Sequence, residues 1–283
     1  MITALVKAEE IIGPQRQWEA VNEQQRQFLR DFFQPARQES ASLEEIESIA
    51  AFSAEEINHF LRERGFQIQL RPFQTSGKRK EFGIASVLNL LVRWLEPGQE
   101  RTLTGPDQRP YPAVRLPKKV SSFYQSARHK HPIVQLKTQS SDVAYLTKLE
   151  DALADFELFQ YAQALSRALE PTSAYNGVIF PMVDLKQEED VSWLSDLHTT
   201  DREGRESKVA QALQETHLAM NEVGAHAESA FAGTVMLTMA YRRSEPDLVI
   251  DEPFLIWFER PGLSKPLFVG RITEEDWKNP GSL

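Results

Sequence analysis

The chain has 283 residues, 41% hydrophobic and 26% charged, with 13 Gly and 16 Pro, which excludes collagen-like, coiled-coil and disordered classes. Lys and Arg number 32 against 41 Asp and Glu, a net charge of −9; a nucleic-acid binder runs the other way, because phosphate neutralisation supplies most of its affinity, so nucleic acid is not an expected partner. Cysteine is absent, which excludes disulfide frameworks, thiolate catalysis and Cys-based metal sites.

Residues 1–10 hold an apolar run too short for a signal h-region, with no basic segment before it. No stretch approaches the roughly 20 apolar residues of a membrane span, so a cytoplasmic protein with no membrane partner is expected. Residues 15–33 set Trp18, Val21, Phe28, Leu29, Phe32 and Phe33 among polar neighbours, an amphipathic helical pattern. Two capping-box signals follow, Ser42 with Glu45 and Ser53 with Glu56. Each precedes apolar residues at helical spacing (Ile46 and Ile49; Ile57, Phe60 and Leu61), and Gly65 suits a C-cap. The period then changes to two: Phe66, Ile68 and Leu70 alternate with Gln67, Gln69 and Arg71, predicting a half-buried strand that ends at Pro72.

Residues 84–94 are a longer apolar run, either a buried strand or a helix, and 98–119 read as loop with short strands. Residues 133–146 predict two strands around Ser140-Ser141-Asp142. Residues 147–169 predict a helix with Leu149, Leu153, Phe156, Phe159, Ala162, Leu165 and Leu169 on one face. A strand is expected at 175–185, a short helical turn at 191–197 and a charged loop at 201–206. Residues 208–220 alternate in part and lead into Asn221-Glu222-Val223-Gly224, followed by the small-residue-rich 225–238. At the end, 247–250 and 254–259 are strong β runs, and the turn Pro261-Gly262-Leu263-Ser264 returns the chain through 267–272 as a hairpin.

No Gly-rich phosphate loop, GxSxG elbow or HExxH helix is present, and no carboxylate pair nominates a general acid and base, so the chain is not expected to be an enzyme. His129 and His131 would share one face of an extended segment. With no Asp or Glu within ten residues on either side, neither a metal nor any other cofactor is expected. Residues 100–140 carry Arg101, Arg109, Arg115, Lys118, Lys119, Arg128, Lys130 and Lys137 against Glu100 and Asp107: an ordinary solvated surface, or a patch for an anionic partner.

The C-terminal part is the most specific. Asp251-Glu252-Pro253-Phe254-Leu255-Ile256, a turn, Lys265-Pro266-Leu267-Phe268-Val269-Gly270-Arg271-Ile272 and Asn279-Pro280 follow one another in order. This resembles the serpins, whose C-terminal signature is a Pro-Phe strand, a turn, a Pro-Leu-Phe-x-Gly-basic strand and a terminal Asn-Pro; residues 273–278 lengthen the approach to that Asn-Pro. The resemblance extends upstream through Phe180-Pro181-Met182-Val183 with 190–197, through 133–149, and through 84–94 with Glu96-Pro97. In that last stretch Trp94 matches the Trp that ends a central-sheet strand.

The resemblance implies an α+β fold of serpin-like mixed β-sheets in a single domain, with 81–280 as the sheet core and a reduced helical part over 1–80 that has no family counterpart. It implies a serine-type endopeptidase inhibitor, with a serine protease as partner, whose exposed reactive loop inserts into the central sheet after cleavage. Glu222 and Gly224 would form the hinge, where glycine pivots without steric cost. At a period of two, Ala225, Ala227, Ser229 and the bulkier Phe231 would face inward. The family's spacing puts the scissile bond near Thr238 and Met239, with Arg242 and Arg243 open to a trypsin-like protease. Beside Trp94, the positions of the family's sheet-opening Asn and His fall at Ser86 and Gln214, both able to hydrogen-bond. Two alternatives stand beside this reading: 225–232 as a plain Ala-rich helix, and a non-inhibitory binding protein that uses the loop or the basic 101–137 surface.

Overall fold

The computed structural model describes residues 1–39, 43, 45–66, 68–73, 79–140, 142–153, 155–222 and 245–282. In chain order these form α1 (Ile2–Ile12), α2 (Glu23–Phe28), a π-helical turn (Leu29–Phe33), α3 (Gln34–Ala36), β1 (Ile46–Ala51), α4 (Ala54–Glu63) and β2 (Arg79–Leu91). Strands β3 (Gln99–Thr104), β4 (Pro110–Pro117), β5 (Ser121–Ser126), β6 (His129–Lys137) and β7 (Val143–Lys148) lead to α5 (Asp155–Ser166), β8 (Glu170–Thr172), β9 (Gly177–Pro181) and β10 (Val183–Glu189). A 3-10 turn (Ser192–Leu194) precedes β11 (His198–Thr200) and β12 (Glu206–Met220); β13 (Asp247–Val249), β14 (Phe254–Glu259) and β15 (Phe268–Ile272) complete the chain. Two compact units emerge, Met1–Leu90 with Lys186–His217, and Leu91–Leu185 with Leu218–Leu283.

The first unit is organised on a sheet ordered β1-β2-β12-β10, with β11 also on β12. α1 buries Thr3, Ala4, Leu5, Ala8 and Ile12, a one-sided stripe that packs on β1, and ends at Gly13, whose φ of 56° is left-handed. α4 forms where Ser53 and Glu56 predict it, although the Ser53 side chain makes no cap bond. Its Ala54, Ile57 and Leu61 join Ala85 and Val87 of β2 in one apolar cluster, and Gly65 follows it at φ 81°.

Three expectations fail here for identifiable reasons. Residues 46–51 form a strand and not a helix, because all six pair antiparallel with β2, from Ile46 opposite Leu88 to Ala51 opposite Gly83; ladder pairing overrides the local helical spacing. Residues 15–19 are bridged to β11, with Gln15 and Glu19 N–H donating to the Thr200 and His198 carbonyls, so the helical pattern of 15–33 starts only at α2. Of the strand predicted over 66–72, the described residues 66 and 68–72 are not in a strand. Side-chain amides replace a partner strand: Asn58 exchanges two bonds with the Leu70 backbone (2.7 and 2.9 Å) and Gln211 exchanges two with the Arg71 backbone (3.0 and 2.7 Å).

The second unit holds two sheets, ordered β13-β9-β4-β3 and β15-β14-β7-β6-β5-β8. The β14–β15 and β6–β7 hairpins are the expected ones. The short strands expected within 98–119 pair as a regular hairpin, with Gln99 opposite Arg115 through Thr104 opposite Pro110. Thr147 and Lys148 complete β7, so the helix predicted over 147–169 is confined to α5. Residues 175–185 divide into two strands around Met182. α5 buries Leu158, Ala162 and Leu165 against Trp257, whose ring stacks on Tyr145 at 4.9 Å and whose indole N–H donates to Ser166 Oγ at 2.9 Å.

Candidate functional site

Two places are candidates, the end of β12 in the second unit and the strand pair β2–β12 in the first. Of the residues expected there, Trp94, Ser86, Gln214 and Glu222 are described; Gly224, Ala225, Ala227, Ser229, Phe231, Thr238, Met239, Arg242 and Arg243 lie outside the described residues.

Trp94 is fully buried and edge-on to Phe180 at 5.5 Å. Its backbone bridges Thr138, and its Nε1–H donates to the Asn221 carbonyl at 2.8 Å. One residue on, the Glu222 carbonyl accepts from Gly98 N–H at 2.7 Å. Gly98 has no room for a side chain, because an added Cβ would overlap Val114 Cγ1. The residue where β12 ends is therefore gripped through its main chain by an indole. The arrangement holds the chain just past the end of β12.

Ser86 and Gln214 occupy neighbouring strands but serve different partners. Ser86 is 3% exposed, and its hydroxyl meets Ser48 Oγ at 3.1 Å, which in turn meets Thr3 Oγ1 at 2.6 Å. Gln214 Oε1 accepts from the Met1 ammonium at 3.2 Å; burial pushes that amine down to about 5. Ion pairs join the first residues of β2 to the neighbourhood of β12: Glu81 with Lys208 at 3.3 Å, and Lys80 with Asp201 at 3.2 Å. Asp201 is 1% exposed. Burial alone would raise its carboxyl, but bonds from the Arg205 and Glu203 backbone N–H and from the Lys80 and Arg205 side chains hold it at about 2.

The basic 101–137 stretch is largely compensated. Arg115 makes a two-point contact with Asp247 (2.6 and 3.0 Å), Lys118 pairs with Glu245, Lys119 with Glu96, Lys130 with Glu150, and Arg109 approaches Asp107. Such a surface projects little excess positive field. His129 and His131 do share β6, with rings 5.5 Å apart. Both His129 nitrogens are occupied, by Tyr161 OH at 2.9 Å and Thr147 Oγ1 at 2.8 Å. Among the described residues, no group of three or more His, Asp or Glu side chains is placed to hold a metal ion, and no helix is long and apolar enough to cross a membrane.

Sequence reasoning passed over Gly98, and it quoted Asn221 without giving it a role. Asn221 stood beside the expected hinge, but its partners are far away in sequence, and nothing local signals them.

No protein-family model and no curated protein matches the sequence. Solved structures do. Native protease nexin-1, crystallised with heparin, matches with a TM-score of 0.51 at 15% identity over 78% of this chain. The match spans 65% of the nexin chain, just under two thirds of its length. The mouse protein-Z dependent protease inhibitor matches with a TM-score of 0.51 at 14% identity, over 96% of this chain and 78% of its own. These are serpins, and the chain is α+β with a serpin-like fold.

Proposed function

We propose that this chain inhibits serine endopeptidases through the segment that follows Glu222. The observation that carries the reading is the direct neighbourhood of β2 and β12 in one sheet, with β12 leading straight into 223–244. A strand admitted between these two would gain ladder bonds on both sides. The small side chains of Ala225, Ala227 and Ser229 suit the inward face of such a strand, and Gly224 suits the pivot behind Glu222. The protease would be met at Thr238 and Met239 or at Arg242 and Arg243. The mouse structural neighbour is by name a protease inhibitor, which agrees with the reading. No residue is assigned a catalytic role.

The test is to nick 223–244 with a non-specific protease and melt the product. A large rise in Tm is expected as the freed segment completes the sheet, and the intact chain should leave a denaturant-resistant complex with a serine protease on a gel. An unchanged or lower Tm after nicking overturns the proposal.

A further inference from the structure

We infer that residues 273–281 form a strap that fastens the end of β12, with Asn221 as its catch. The strap begins at a tight turn. Asp276 Oδ2 accepts from the Thr273 N–H (3.0 Å) and hydroxyl (3.2 Å), while Asp276 N–H donates to the Thr273 carbonyl at 3.0 Å. The turn delivers Trp277 into the β3–β4 hairpin. There the ring is 2% exposed and edge-on to Tyr111 at 5.0 Å and 86°. It also lies over Gly105: a Cβ on that residue would stand 3.1 Å from Trp277 Cζ3. The Tyr111 hydroxyl is itself fixed by Asp107 at 2.7 Å. Among the described residues Trp277 Nε1 has no hydrogen-bond partner, so the contacts that seat the ring there are apolar.

Beyond this anchor, Asn279 Oδ1 accepts from Gly281 N–H at 2.8 Å, and Gly281 takes φ +81°, a left-handed conformation that favours glycine. That turn aims the Gly281 carbonyl at Asn221, whose Nδ2 donates to it at 2.7 Å. Asn221 is 2% exposed, and its own carbonyl is held by Trp94 Nε1, with the next carbonyl held by Gly98 N–H. Among the described residues, bonds from three separate stretches of chain thus converge on two consecutive residues. Two of them hold only backbone carbonyls. The third holds a side chain and comes from the segment whose added length, 273–278, departs from the serpin pattern. The strap therefore sets how readily the strand end lifts. Its purpose, restraint of the segment behind Glu222, rests on the proposed function, whereas the catch itself does not.

The experiment measures amide hydrogen exchange of Gly98, the donor to Glu222, in the intact chain without protease. Asn221→Leu removes the donor at similar volume; Trp277→Leu removes the anchor. Exchange at Gly98 should rise about three- to tenfold in Asn221→Leu, the range for one buried hydrogen bond, while the β6–β7 amides keep their rates. The double variant should exchange no faster than the faster single, because both release the same catch. Unchanged exchange at Gly98 in Asn221→Leu overturns the inference even if Trp277→Leu fails to fold, and so does a double effect equal to the product of the singles. Because no cleavage is involved, a response at Gly98 with no Tm gain on nicking would retain the strap and remove the inhibitor reading. The opposite pair of results would do the reverse.

Discussion

Asp201 offers the sharpest quantitative test of how β2 is joined to β12. Replacement by Asn keeps the shape and an oxygen for the Glu203 and Arg205 N–H groups but removes the charge between Lys80 and Arg205. In the folded chain the carboxyl sits at about 2, against an ordinary value of 3.8. At about 1.4 kcal/mol per unit the difference corresponds to roughly 2.5 kcal/mol. The Lys80 and Arg205 side chains are 27% and 33% exposed, so solvent screening reduces this to about 1–2 kcal/mol. Because the folded value is depressed, the contribution is complete above about pH 4 and is lost as pH falls through about 2. Urea unfolding of parent and Asp201→Asn at pH 7, 5, 3.5 and 2.5 isolates the effect, since every other carboxylate titrates in both proteins. The gap in unfolding free energy should be about 1–2 kcal/mol at pH 7 and 5 and should narrow at the two lower values. A gap that is absent at pH 7, or constant down to pH 2.5, would refute the reasoning.

Three further outcomes are expected. The His129 imidazole is held below its ordinary value, first by burial and then by His131 and Lys130, with Lys148 and Asp151 acting the other way. Its stabilising effect is present above about pH 6.5 and lost as pH falls, so His129→Gln should flatten the decline in Tm between pH 7 and 5, while an NMR titration should place His129 below an ordinary imidazole. The Glu215 carboxyl is raised by burial and by Glu188, and among the described residues its Oε2 has no hydrogen-bond partner. Glu215→Gln should therefore raise Tm at pH 7, with the gain shrinking towards pH 4 as the parent carboxyl takes up its proton. Asn58→Ala strips two bonds from the Leu70 backbone and should cost about 1–3 kcal/mol in denaturant unfolding, whereas neighbouring exposed Glu55→Ala should change stability by less than about 0.5 kcal/mol.

What the sequence made legible depended on how local the cause was. The β14–β15 hairpin is encoded by its own turn, 261–264, and α4 by the apolar spacing after Ser53, so both could be read directly. The C-terminal serpin-like motif was specific enough to indicate the fold, although 1–80 carried no matching signal. β1 could not be read, because Ile46 and Ile49 at helical spacing become a strand only when β2 is present to pair with them. That residues 66 and 68–72 are not in a strand was invisible for a related reason: Leu70 and Arg71 alternate correctly, but Asn58 and Gln211 satisfy their backbone groups from a helix and from β12. At the candidate site, Trp94 was found through the serpin resemblance, which matches it to the Trp that ends a central-sheet strand. Trp277 was visible only as extra length, since its seat is made by Tyr111 and Gly105 far upstream.

The distribution of bonds along β2 and β12 bears on how these strands could part. Where β2 starts and β12 has just begun, Glu81–Lys208 ties one strand to the other by charge, and Lys80–Asp201 ties β2 to the loop that leads into β12. Midway, the polar side chains that the serpin resemblance would place across the pair point elsewhere: Ser86 to Ser48 and on to Thr3, Gln214 to Met1. The Ser86 bond holds β2 to its outer neighbour β1 and survives a separation of the two, whereas the Met1 bond ties β12 to the start of α1, which packs on β1. At the far end of β12 the restraint is again strong but different in kind, with Trp94, Gly98 and Gly281 each bonding to Asn221 or Glu222. On the proposed inhibitor reading, a strand entering from the segment after Glu222 would meet that second restraint first and the ion pairs last. Loosening the Asn221 catch should therefore ease entry without weakening the charged end. Asp201→Asn should weaken the charged end without moving Gly98 exchange.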